Sequence, residues 1–141
     1  NTLLPTDTKP ARAQVLITKP ISNLEIKGTF HLDCGYYYFR NIDQRILLGG
    51  ARNLDIVGET TTSFATTAKI QNELERLLSQ VILQGKDFEI DQRWSGIMGV
   101  GSRKKPLVFQ ESDHVFVGVR MGGMGIAIGS SVGKQLSELI A

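Results

Sequence analysis

Val115-Phe116-Val117-Gly118-Val119-Arg120-Met121-Gly122-Gly123-Met124-Gly125-Ile126-Ala127-Ile128-Gly129 runs from an apolar, β-branched segment through glycines into a helical pattern. The first part reads as a short strand and the glycines as a turn. Beyond them Ile128, Val132, Leu136, Leu139 and Ile140 form one apolar face, so a closing helix is predicted. A helix start carries unpaired N–H groups and about half a unit of positive charge, and glycines let a ligand approach the backbone. Strand, glycine turn and helix together predict a place for an anion or a polarised carbonyl.

Gly125, Gly129 and Gly133 fall four apart along the same helix. Each glycine inside a helix costs about 1 kcal/mol relative to alanine, so the smooth face predicts something packed very close to it. The bland version of that expectation is a glycine face against a sheet. A complete dinucleotide-binding fold is not predicted. Its fingerprint needs a further strand and an acidic residue about 20 positions on. The chain has 141 residues and supplies neither after Gly125.

Upstream, Val15-Leu16-Ile17-Thr18 within Arg12–Lys19 reads as a strand stopped by Pro20, and residues 1–11, with Pro5 and Pro10, as an extended lead-in. A strand from about Thr29 to Arg40 and another from Arg45 to Leu48 are predicted to form a hairpin around Asn41-Ile42-Asp43-Gln44. Alternation puts Tyr36, Tyr38 and Arg40 on one face of it and Tyr37 and Phe39 on the other. Between Thr60 and Leu83 the period becomes helical. Ile70, Leu74, Leu77, Leu78 and Val81 face inward, Lys69 and Glu73 face water, Thr60–Ser63 offers N-caps, and Gly85 a stop. Phe88–Met98 and Leu107–Phe109 read as strands, with Trp94 as a buried aromatic. The predicted class is α+β: a largely antiparallel or mixed β-sheet with one long amphipathic helix and a glycine-rich closing helix.

Composition narrows the function. Sixteen Lys and Arg against fourteen Asp and Glu give a net charge of +2, and no basic block or aromatic-basic repeat supports nucleic-acid binding. No apolar run reaches the ~20 residues a membrane helix requires, so no membrane partner is expected. The single Cys34 excludes an intrachain disulfide framework and leans towards the cytoplasm. His31, Cys34 and His114 lack metal-ligand spacing, and no metal is expected. No serine, histidine and acid arrangement supports a hydrolase. The chain opens on Asn1-Thr2-Leu3-Leu4-Pro5, which reads as a cut end.

Four segments carry a resemblance. Pro10–Thr18, Gly35–Arg40 with Arg45–Arg52, Trp94–Met98 with Pro106–Val108, and Gly122–Gly125 occur in an order that resembles the carboxy-terminal part of the D-amino-acid oxidase superfamily of flavoproteins, which includes glycine oxidase and sarcosine oxidase. The resemblance implies a fragment of a FAD-dependent oxidoreductase that oxidises the C–N bond of an amine or amino acid by hydride transfer to flavin. It implies a substrate-domain portion over 1–114 and, over 115–141, a strand and helix completing the FAD-binding domain. FAD would be anchored mainly by a missing amino-terminal region, and the fragment alone would be inactive and prone to self-association.

By the same resemblance Tyr38 matches an active-site tyrosine, and Gly122, Gly123, Met124, Gly125 and Ile126 form the cofactor-contacting turn. Negative charge arriving near N1 and the C2 oxygen of the flavin would be stabilised by that helix start. Amino-acid-binding relatives often carry Arg where this chain has Met98 and Gly123. Arg120 and Arg52 are therefore the substrate-binding arginines expected here. The alternative is a noncatalytic protein-binding or regulatory domain using the same sheet.

Overall fold

A computed structural model describes residues 7–140, so the lead-in expected over residues 1–6 lies outside the described residues. Two compact units divide the chain, one holding residues 12–97 and the other residues 7–11 with 98–140. The elements are α+β and, where strand pairing is resolved, antiparallel.

The larger unit is built on a five-stranded sheet of order β2-β3-β4-β1-β5, whose strands are β1 (Lys9–Thr18), β2 (Thr29–Leu32), β3 (Tyr37–Ile42), β4 (Arg45–Gly50) and β5 (Ile90–Val100). β1 starts at Lys9, three residues before the predicted start, and takes in Pro10, which a strand's first residues tolerate. The stretch read as one strand from Thr29 to Arg40 is two. β2 and β3 pair antiparallel, Thr29 opposite Arg40 and Leu32 opposite Tyr37. The chain reverses at Asp33, Cys34 and Gly35, whose φ angles of 49°, 53° and 87° are all left-handed. Only Gly35 announces that reversal in the sequence. The next turn is tighter than predicted. Ile42 and Arg45 are partners, so Asp43 and Gln44 alone make the loop, both with positive φ as the hairpin twist demands.

One helix, α1 (Ala68–Leu77), covers one face of this sheet and continues as a π-helical turn over Leu78–Ile82. Leu16, Ile46, Leu48, Ile70, Leu74 and Leu78 are fully buried between them. The predicted inward face holds for Ile70, Leu74, Leu77 and Leu78, but Val81 is 54% exposed. The wider π turn, closed by Leu83 N–H donating to Leu78 O, rotates Val81 off the inward stripe. The helix also begins later than Thr60–Ser63. Its N-cap, Thr67, makes no side-chain cap and is held from the sheet instead: its N–H donates to Gln14 Oε1 at 2.9 Å and its Oγ1 accepts from Gln14 Nε2 at 3.0 Å. Lys69 and Glu73 pair elsewhere, with Asp55 and Arg76. Gly85 has the left-handed φ of a stop.

Trp94 is 40% exposed, against the buried reading, because β5 is an edge strand with four exposed residues from Asp91 to Trp94. The loop between β4 and α1 is pinned by a buried polar network. Arg12 donates to both carboxylate oxygens of Glu59 at 2.8 Å, and Gln14 Nε2 donates to the same carboxylate at 2.9 Å.

In the smaller unit β6 (Leu107–Ser112) and β7 (Val115–Val119) form an antiparallel hairpin, so the strands on either side of position 114 belong together. Helix α2 (Gly125–Ile140) packs on it. A methyl at Gly118 would lie 2.8 Å from both Val132 and Leu136, so the glycine that admits close packing is on the strand. Gly129 and Gly133 have nothing within 4 Å among the described residues, and the expected close partner of the glycine face is not part of this unit.

Candidate functional site

The predicted site residues fall in two groups. Arg120 and Gly122–Ile126 belong to the smaller unit, and Tyr38 and Arg52 to the larger.

Between β7 and α2 the chain turns through Arg120, Gly122 and Gly123 with φ of 61°, 58° and 86°. Left-handed geometry suits glycine but strains arginine, so Arg120 has to be held there. The residue is 8% exposed, and its guanidinium donates through Nη1 to Asp7 Oδ2 and through Nε to the Lys105 carbonyl at 3.2 Å. It lies in a slot where a methyl on Gly101 would come within 2.6 Å of it. Asp7 also accepts from Ser102 Oγ at 3.0 Å, and that hydrogen bond, ahead of the Arg120 charge and against partial burial, holds its carboxyl below the usual range. Gly122 N–H donates to Gly99 O at 3.2 Å. The turn is thus tied to the loop at 99–106 on three sides.

What the turn leaves open is backbone. Met124 N–H bonds Met121 O, and Ala127 and Ile128 bond Met124 O, whereas the N–H groups of Gly123, Gly125 and Ile126 have no hydrogen bond among the described residues. A side chain at Gly122 would meet nothing within 4 Å, and Ile126 is fully exposed. Met98 Sδ, 2.9 Å from a methyl placed on Gly123, occupies the space beside that glycine. An open, donor-rich helix start suits the electron-rich edge of a flat ring. The residues present fit a flat, electron-rich group such as a flavin. Among the described residues no strand, glycine turn and acid follow one another in the order that holds a pyrophosphate and ribose.

In the larger unit Tyr38 stands opposite His31 and Gly49, and Gly49 opposite Val15, so these side chains share a face. Tyr37 and Phe39 point to the α1 side, as the alternation predicts. The Tyr38 ring lies over Gly49. Its hydroxyl makes no hydrogen bond among the described residues, and burial raises its pKa. Arg52 follows β4 in a short 3-10 turn, Arg52–Asp55, entered through a left-handed Ala51. Its Nη1 and the Asn53 Oδ1 are buried without a partner among the described residues. An unpaired buried N–H is costly, so this Nη1 has donor capacity to spare.

Sequence reasoning missed Asp7, Gly49 and Gly101. Asp7 and Arg120 are 113 positions apart, and no spacing rule links such a pair.

The pattern of the family described as FAD dependent oxidoreductase (DAO) matches residues 1–139. No curated protein matches the chain. Among solved structures, iminodiacetate oxidase from Chelativorans sp. BNC1 is similar with a TM-score of 0.76 and 19% identity, over 98% of this chain and 37% of that one. L-proline dehydrogenase from P. horikoshii gives 0.77 and 20%, over 97% and 37%. Glycine oxidase from Bacillus cereus ATCC 14579 gives 0.70 and 14%, over 94% and 36%. At these identities the likeness is one of fold, and the chain spans a little over a third of each neighbour's length. With the family pattern running along almost all of its sequence, the chain belongs to the FAD-dependent oxidoreductases.

Proposed function

We propose that these 141 residues serve as the carboxy-terminal part of a longer FAD-dependent enzyme that oxidises the C–N bond of a small amine or amino acid. The observation that carries this reading is the glycine turn, where two left-handed glycines precede a 16-residue helix whose first N–H groups are unpaired. Bound there, FAD would accept the hydride from the carbon next to the substrate nitrogen. Gly122, Gly123, Met124, Gly125 and Ile126 would supply backbone donors and open surface to the ring. The pyrophosphate and ribose would be held by a region upstream in the longer polypeptide. Residues 1–114 are read mainly as substrate-domain sequence and 115–141 as the strand and helix that complete the FAD-binding domain, with β6 joined to that part through its pairing with β7.

Substrate contacts are assigned to Tyr38, through its unpaired hydroxyl, and to Arg52, through its unpaired Nη1. Arg120 enters differently. Its guanidinium is already bonded to Asp7, so a substrate carboxylate reaches it only by displacing that partner. Iminodiacetate, proline and glycine, the compounds named for the neighbouring structures, are small amines bearing carboxylates, and that substrate class is proposed here too. No helix of the described residues is long and apolar enough to cross a membrane, and the free, exposed Cys34 fits a cytoplasmic location.

The test is the longer protein, purified and assayed for flavin absorbance and for oxidation of a panel of small amino acids and secondary amines. A yellow protein that turns over a member of the panel is expected. A folded, colourless protein that takes up no FAD would overturn the reading and leave the noncatalytic alternative.

A further inference from the structure

Two adjacent glycines end β4, and they are glycines for different reasons. Gly50 has φ of 129°, and a methyl there would sit 2.0 Å from Tyr36 O, so the backbone alone requires it. Gly49 has no such excuse, since its φ lies outside the left-handed range and any residue fits its conformation. It is also buried and paired with a strand on either side, where glycine is unfavourable. The atoms nearest to a methyl at Gly49 all belong to one side chain: Tyr38 Cζ and Oη at 2.5 Å and Cε2 at 2.9 Å.

Tyr38 and Gly49 are register partners, and the next residue across the sheet is Val15, 7% exposed. The ring therefore lies down across β4 instead of standing off the sheet. With an alanine in β4 the ring would have to lift, and its hydroxyl would swing away from its place over the strand.

We propose that Gly49 is a positioning residue for Tyr38: its missing side chain is the slot that fixes where the phenol hydroxyl is presented to a ligand. The proposal rests on the assignment of Tyr38 to substrate binding, and it adds the residue that sets the geometry. Tyr38 then has one orientation before ligand arrives, which lowers the cost of ordering it on binding. Burial also raises its pKa, a direction that favours the protonated, donating phenol.

The experiment uses the FAD-loaded longer protein with Tyr38→Phe, Gly49→Ala, the double variant, and Gly49→Ala combined with Tyr38→Val. Tyrosine ring carbons are labelled and titrated by NMR, with Tyr38→Phe assigning the Tyr38 signal. In Gly49→Ala the Tyr38 midpoint is expected to fall towards the ordinary value of about 10. Turnover of an amino-acid substrate is expected to lose about tenfold in kcat/KM in Tyr38→Phe and in Gly49→Ala, and no more in the double variant, because both remove one contact. An unchanged Tyr38 titration in Gly49→Ala, or additive losses in the double variant, would overturn the positioning role. A shifted titration with full activity in Tyr38→Phe would sink the substrate assignment and leave the positioning intact. If Gly49→Ala fails to fold, recovery by Tyr38→Val supports the slot, and no recovery refutes it.

Discussion

Single residues decide where this chain is rigid. Arg12 and Glu59 are 5% and 1% exposed and joined by two hydrogen bonds, and they tie the loop after β4 to β1. Removing one partner of such a pair leaves a buried charge, so Glu59→Gln is expected to cost about 3–5 kcal/mol in chemical denaturation. Burial pushes the Glu59 carboxyl up, but the bonds from Arg12 and Gln14 outweigh it and the net shift is downward. A folded value below the unfolded one, about 4.3, means a contribution present above that pH and lost as pH falls through the folded value. The acid limb of the stability curve should therefore flatten in Glu59→Gln, as unfolding measured between pH 2 and 6, about that range, would show. Arg120 poses a different question. If its work is to hold the left-handed turn through Asp7 and Lys105 O, Arg120→Ala in the longer protein lowers kcat/KM equally for matched substrates with and without a carboxylate. A loss confined to the carboxylate-bearing one, of about 10- to 100-fold, would mean that Asp7 yields and Arg120 binds substrate itself. Arg120→Lys should restore little of the turn, since a point charge cannot serve both acceptors in the geometry of the planar fork.

At the level of elements, the contact between β7 and α2 depends on the absence of a side chain at Gly118. Gly118→Val should push Val132 and Leu136 outward and cost about 1–3 kcal/mol, and Leu136→Ala should return part of it, measured as a thermal-unfolding cycle. That glycine reads in the sequence as one more residue of an apolar strand. Gly129 and Gly133 of the helix, which read as part of the close contact, face open space instead, because sequence shows where a neighbour can approach and not whether one lies within the same chain. The apolar faces of α1 and α2 were legible because helical period survives any partner. The π turn that exposes Val81 was not, since a local widening leaves no mark on residue types. The β2–β3 reversal hid behind an unbroken alternation from Thr29 to Arg40, with Asp33 and Cys34 adopting left-handed φ that their types do not announce. The turn at Gly122–Ile126 was visible from its glycines. Its anchors were not, because Asp7, Gly101 and Lys105 meet Arg120 only through the fold.

For the molecule as a whole, the apolar surface of α2 sets the behaviour of the 141-residue chain by itself. The helix buries only Val132 fully, while Met124, Ile126, Leu139 and Ile140 are 53%, 105%, 43% and 65% exposed. Apolar side chains in one helical stretch of this extent are uncommon on a monomer and mark a surface that expects a partner. On the function proposed above, the rest of the polypeptide would pack there, since the open Gly129 and Gly133 allow close backbone approach along the same helix. Without that cover the hydrophobic effect favours a second copy as the substitute, and the isolated chain is expected to self-associate, its mass by light scattering rising with concentration. Ile126→Glu with Ile140→Glu should suppress the rise by putting charge on the surface that would be buried. Val57→Glu is the control. Val57 is 87% exposed in the turn before Gly58, far in sequence from α2, and its substitution should leave the association unchanged. A longer protein of the kind proposed above should lack the association altogether, because its own polypeptide would cover the face. A clean monomer of the 141 residues at high concentration, or association that survives charge on α2 but not on Val57, would move the partner surface off this helix.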